Sequence, residues 1–272
     1  MPASLRFAAV VLALLTAFPA FAENGVKRLY ILDCGENLGA DQARWSPGVN
    51  AGQPIELSDN CYLIRHEKGL LLWDTGIPDS VADLPDGLPT SGGAIVQKRT
   101  KTLEAQLAEI GVKPADIDFV AISPTHGDHV GNVDLFPEAT VLMQAAEVDW
   151  AFAGGKKPPF APRDNIEKLN GDRDVFGDGS VVILSTPGHT PGHQSLLVML
   201  PRTGAVLLTG DAVHFRDNWE HRRVPSMNTD KGQTLASMDR IEKTLAEKKA
   251  QLWINHDKPQ SERLRHAPQF YE

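Results

Sequence analysis

The sequence predicts an α/β fold, and three observations carry that expectation. Short apolar, strand-like runs alternate with segments of helical spacing along the 272 residues. The order is a β-rich half, a helix and a strand, then a second β-rich half closed by a long helix and a last strand. Residues able to bind a metal recur directly after the predicted strands, where loops borne by a rigid scaffold display their chemistry.

The chain opens with Arg6, then an apolar run from Phe7 to Phe18 broken only by Thr16, then Ala20-Phe21-Ala22. The run is too short to span a bilayer and has the flanks of a secretory signal, so residues 1–22 are expected to be cleaved and the mature chain to start at Glu23. An uncleaved anchor is the alternative. Cleavage removes one charged residue, taking the basic total from 27 to 26 against 35 acids, a net of −9 over 250 residues. Nothing in that balance suggests nucleic acid or an anionic membrane as a partner, and the signal segment leads to the expectation of a periplasmic or secreted protein acting on a small molecule. Export also places Cys34 and Cys61 in an oxidising compartment, where a disulfide and a pair of buried thiols are both open readings. Oligomeric state is not readable.

Val26 to Leu32, Asn60 to Arg65 and Gly69 to Trp73 read as strands, with a long loop from Gly35 to Pro54 between the first two. Leu103, Leu107 and Ile110 set the spacing of a helix over 96–110, stopped by Gly111. Ile117 to Ile122 and Thr140 to Met143 are strands, Ala145 to Phe152 a short helix, and Gly154 to Phe176 loop-rich, with the basic pair Lys156-Lys157. Val181 to Leu184, Ser195 to Leu200, Ala205 to Thr209 and Leu252 to Ile254 are strands, and Gln233 to Lys249 is the longest helix.

Five islands carry the chemistry. Asp74 ends a strand in Trp73-Asp74-Thr75-Gly76. His126, Asp128 and His129 lie within four residues in Ser123-Pro124-Thr125-His126-Gly127-Asp128-His129. His189 and His193 lie in Thr186-Pro187-Gly188-His189-Thr190-Pro191-Gly192-His193, Asp211 in Thr209-Gly210-Asp211-Ala212, and His256 in Asn255-His256-Asp257. A lone His is more often a core or surface residue than a ligand, and a lone Asp at a strand end usually caps a turn. Several islands with one placement, and glycine at 127, 188, 192 and 210 to allow tight turns, favour a shared site for metal.

This ordered set resembles the metallo-β-lactamase-fold hydrolases, and within them the N-acyl homoserine lactonase branch, over residues 28 to 258. The resemblance implies an αββα four-layer sandwich, residues 23–272 forming a single domain, with two zinc ions between the sheets. On it, His126 and His189 hold the first metal, Asp128, His129 and His256 the second, and Asp211 bridges them. Asp74 then orients the turn without binding metal, and His193 supports the third motif. The chain departs from the family twice. Pro124 stands where the His-x-His-x-Asp-His signature has its first His, so the first site should be weaker and the second should fill first. His214 stands where the lactonase branch has a Tyr that assists the substrate carbonyl. An imidazole there either donates to a developing oxyanion or coordinates metal in place of position 124, a solvent-facing His being the plain alternative.

The resemblance implies hydrolysis of a lactone or ester carbonyl by metal-bound hydroxide, with Asp128 passing a proton to the leaving group. A periplasmic β-lactamase and a thiolester hydrolase of the same fold are the rival enzymes; Asp211 argues against the first. A ligand-binding member without turnover is the non-enzyme alternative, set against the six ligand positions still present. Trp45, Trp150, Phe152 and Phe160 either wall an apolar pocket or anchor their loops, the second reading being favoured for at least two of them.

Overall fold

The computed structural model describes residues 25–154 and 159–272. The expected signal segment, residues 1–22, and Lys156-Lys157 lie outside the described residues. β1 (Val26–Gly39), β2 (Ile55–His66) and β3 (Gly69–Trp73) form an antiparallel meander. β4 (Leu88–Thr90) and β5 (Ile95–Lys98) extend it beyond β1. On the β3 side, β6 (Phe119–Ala121), β7 (Thr140–Gln144) and β8 (Ile166–Leu169) follow in parallel. α1 (Leu103–Glu109), α2 (Gly127–Val130) and α3 (Ala145–Ala151) occupy the connections.

The second sheet runs β13-β12-β11-β10-β9, built from β9 (Arg173–Asp174), β10 (Val181–Ser185), β11 (Gln194–Leu200), β12 (Gly204–Leu208) and β13 (Gln251–Trp253). α4 (Arg216–Glu220) and α5 (Lys231–Lys248) join β12 to its parallel neighbour β13, and α6 (Lys258–Ser261) follows.

Strand alternation produces the layering. In β2, Tyr62 and Ile64 enter the core between the sheets, while Leu63 enters the core beneath α1 and α3. In β12, Val206 and Leu208 face the first of these cores and Leu207 faces Met238 and Ile241 of α5. Both sheets are thus apolar on both faces, as strands covered on two sides must be. The result is the expected αββα sandwich. α5 buries Thr234, Ser237, Met238 and Ile241, one helical stripe, and its first turn is capped by Asp230 accepting from the Gln233 amide.

Four local expectations are corrected. β1 continues to Gly39, so the loop expected from Gly35 shrinks; the register shift between Asp33 and Gly35 makes Gly35 a bulge rather than a stop. The helix expected over 96–110 begins only at Leu103, because Ile95 to Lys98 pair with Glu36 to Gly39; the periodic positions all lay from 103 onward. The stretch 154–176 contains β8 and β9 as well as loops. Gly127 is not needed for its turn, since a Cβ there would meet nothing within 4 Å. Gly210 is needed: its φ is +53 and a Cβ would stand 2.8 Å from His193 Nε2 and Ser123 Cβ. Cys34 and Cys61, open between disulfide and thiols in sequence, are joined across β1 and β2 with a Cα–Cα distance of 5.7 Å.

Candidate metal centre

The five islands converge at one end of the two sheets, each delivered by the C-terminal end of a strand. Asp211 lies at the middle, 3% exposed, and imidazoles approach both of its oxygens. His129 Nε2 and His256 Nε2 stand 3.2 and 2.9 Å from Oδ1. His189 Nε2 stands 3.0 Å from Oδ2, and 2.9 Å from His126 Nδ1. Asp128 Oδ1 is 4.0 Å from His129 Nε2. Potential ligand atoms form three tight groups, His126-His189-Asp211, Asp128-His129-His256 and Asp211-His214-His256, each spanning no more than 4.8 Å.

The ring nitrogen facing away from Asp211 is held in each of three histidines. His129 Nδ1 donates to Asp74 Oδ2 at 3.0 Å, His256 Nδ1 to the Ser58 carbonyl at 2.7 Å, and His189 Nδ1 to Asn228 Oδ1 at 2.9 Å. That pattern selects the tautomer that leaves Nε2 as a lone-pair donor toward the centre. His129 Nε2 and Asp211 Oδ1 are buried without an aligned hydrogen bond. Such atoms are costly to bury unless another partner takes them, and a divalent cation between them satisfies both. The donor set, imidazole nitrogen and carboxylate oxygen, suits zinc.

Asp74 is tied by hydrogen bonds to both ends of the turn. Its Oδ1 accepts from the Ser123 amide at 2.7 Å and its Oδ2 from the Ser123 hydroxyl at 2.6 Å as well as from His129. Its backbone is left-handed, φ 58, an uncommon conformation for a residue other than glycine and one concentrated at functional sites. His193 supports the bridging residue: its Nε2 accepts from the Asp211 amide at 2.8 Å and its Nδ1 donates to the Thr186 carbonyl. Burial lowers its pKa to about 3, in keeping with a neutral ring.

Electrostatics follow from the crowding. Burial opposes charge on His256, but Asp211 and Asp128 outweigh it and raise its pKa to about 9. His129 is raised too, Asp211 and Asp74 overcoming burial. His126, buried beside His189, falls to about 4. Burial pushes the Asp59 carboxyl up to about 8.

Several residues that hold the site were missed in the sequence. Glu147, fully buried in α3, accepts from the Thr125 amide and hydroxyl through Oε1 and from the Gly192 amide through Oε2, so it ties the His126 loop to the His189 loop. Gly192 is needed for this approach, since a Cβ there would fall 2.2 Å from the Glu147 amide. Asn37 donates to Asp128 Oδ2 at 2.8 Å, and Asn228 fixes His189. None carries a motif of its own; Asn228 sits only two residues before the cap of α5, the nearest thing to a signal. The plain alternative for His214 is corrected: the residue is 3% exposed and faces the centre, not solvent.

A cavity of about 310 Å³ opens onto the cluster. Trp45, Leu57, Ile95 and Met227 form its apolar wall, with Arg44 and Asn37 at polar positions. Trp45 therefore walls the pocket. Trp150 meets the His126 ring edge-on at 6.1 Å, and Phe152 and Phe160 pack on each other beneath the first sheet as loop anchors.

Residues 55–248 match the metallo-β-lactamase superfamily, and the chain belongs to that superfamily. It is a metal-dependent, lactonase-like hydrolase: it is 34% identical to the N-acyl homoserine lactonase AttM of Azorhizobium caulinodans, over 90% of this chain and 98% of that one. It is 31% identical to the N-acyl homoserine lactonase AiiA of Bacillus thuringiensis subsp. kurstaki, over 90% and 99%. Among solved structures, an N-acyl homoserine lactone hydrolase with the product N-hexanoyl-L-homoserine at its catalytic metal centre superposes with a TM-score of 0.82, at 30% identity, over 90% of this chain and 99% of that one.

Proposed function

We propose that the protein is an exported, zinc-loaded lactonase that opens the ring of an acylated lactone of the N-acyl homoserine type. The observation that carries the reading is the convergence of His126, His189, Asp128, His129 and His256 on Asp211, beneath a cavity with one apolar wall. Divalent metal bound there supplies Lewis-acid polarisation of a carbonyl and brings the pKa of water to about 7. The residues do the rest. Trp45, Leu57, Ile95 and Met227 take the acyl chain and exclude water from that side. Asn37 holds Asp128 by Oδ2, while Oδ1 is turned toward His129 Nε2 at 4.0 Å and the side chain lines the cavity. Water adds to the carbonyl carbon, the ring C–O bond breaks, and Asp128 carries a proton to the departing oxygen, giving a hydroxy acid. Arg44, lining the same cavity with Nε unpartnered, faces the carboxylate that forms.

Export is supported by the charge, apolar run and small-residue site within residues 1–22 and by the Cys34–Cys61 disulfide, which an oxidising compartment maintains. The test is hydrolysis of N-acyl homoserine lactones of graded chain length beside simple γ-lactones, aryl esters, thiolesters and β-lactams, with and without chelator. Lactone turnover that outruns the other classes and disappears with chelator is the expected result. Preference for β-lactams, or turnover indifferent to chelator, overturns the reading.

A further inference from the structure

Pro124 removes an imidazole from one half of the centre, and the structure shows a different one beside the same carboxylate. Each oxygen of Asp211 is approached by two rings. Oδ1 meets His129 and His256; Oδ2 meets His189 at 3.0 Å and His214 Nε2 at 3.6 Å. The His214 ring centroid lies 5.1 Å from that of His189 and 5.4 Å from that of His256, so it stands against both halves. His214 forms a ligand-capable group with Asp211 and His256. It is 3% exposed, and its Nδ1 is buried with no hydrogen-bond partner. Nε2 is the nitrogen turned toward Asp211, and His214 lines the cavity over the cluster, so this atom is placed to give its lone pair to a cation there.

We propose that His214 is a metal ligand, supplying on the Oδ2 side of Asp211 the imidazole that position 124 lacks. The ligand sets are then His126, His189, His214 and Asp211 for one ion, and Asp128, His129, His256 and Asp211 for the other. Each half then has four protein donors, and a cation that expands to five-coordinate keeps a position for the water the proposed reaction needs. The weaker first site expected from Pro124 alone is thereby made good, through a residue that comes from the loop after β12 instead of the loop after β6. This assignment rests on the two-metal hydrolase reading above.

The experiment counts metal, not turnover. Purified protein is stripped with chelator, reloaded with zinc or cobalt, dialysed, and its ions counted per chain by elemental analysis, with the cobalt absorption spectrum as a second readout. The wild type is expected to keep two ions. His214→Ala should keep one and lose part of the cobalt ligand-field absorption, and adding Pro124→His to that variant should return the count to two. His214→Asn, which retains a polar atom at the buried position, replaces the alanine variant if that one does not fold. A His214 variant that still holds two ions as tightly as the wild type overturns the assignment while leaving the two-metal reading intact. A wild type that holds fewer than two overturns the reading beneath it.

Discussion

Glu147 offers the sharpest test of how the centre is held. Its carboxylate is fully buried and receives the Thr125 amide at 2.8 Å, the Thr125 hydroxyl at 2.7 Å and the Gly192 amide at 3.0 Å. In Glu147→Gln one oxygen becomes an amide NH₂. Oriented to keep both Thr125 bonds, the NH₂ confronts the Gly192 N–H, leaving that donor buried and unpaired at a cost of about 1–3 kcal/mol. Glu147→Ala removes all three bonds. The Thr125 hydroxyl can rotate elsewhere, but two backbone N–H groups are stranded, at roughly 2–6 kcal/mol in sum. Urea unfolding of the metal-free proteins, with unchanged m-values, measures this directly. Because Glu147 joins the loops of His126 and His189, both variants should also bind zinc more weakly. A glutamine variant within about 0.5 kcal/mol of wild type, a typical surface-substitution effect, refutes the bracing role.

Three further outcomes are expected. Replacing both Cys34 and Cys61 by Ala removes a crosslink between residues 27 apart, and should cost about 3.5 kcal/mol by chain entropy, read as a lower denaturation midpoint that dithiothreitol no longer shifts. Asn228→Ala frees the His189 ring and should weaken metal binding by about 10–100-fold in a chelator competition, with the backbone spectrum unchanged. Asp178 is partly buried, but the Ser180 hydroxyl and amide and the adjacent His66 hold its pKa at about 2. A depressed carboxylate contributes stability that is present above its unfolded value of about 3.9 and is lost as pH falls through about 2. Asp178→Asn should therefore lower stability at neutral pH and flatten the pH dependence between about 4 and 2; an acid limb parallel to that of the wild type contradicts the assignment.

Much of the fold was legible because its signals are local. Short apolar runs marked β2, β3, β11 and β12, and the spacing of Thr234, Ser237, Met238 and Ile241 matched a helix packed on one face. The errors came where pairing overrode local reading. Gly35 looked like a break and is a bulge. Val96 looked helical and is paired with β1, because backbone donors in Glu36 to Gly39 needed a partner that no local pattern announces.

At the site, the metal-capable residues were visible because histidine and aspartate in glycine-bounded turns after strands are rare together by chance. The residues that hold them were not. Glu147, Asn37, Ser58 and Asn228 act through hydrogen bonds spanning 22 to 198 positions of sequence, and a buried acceptor looks the same in sequence as an exposed one. The chain by itself determined which side chains can donate to a metal and that position 124 cannot. The tertiary structure decided which nitrogen of each ring faces Asp211, and that His214 stands beside the same carboxylate oxygen as His189. Only packing from distant strands fixes a ring's orientation, and orientation determines whether an imidazole is a ligand or merely a neighbour.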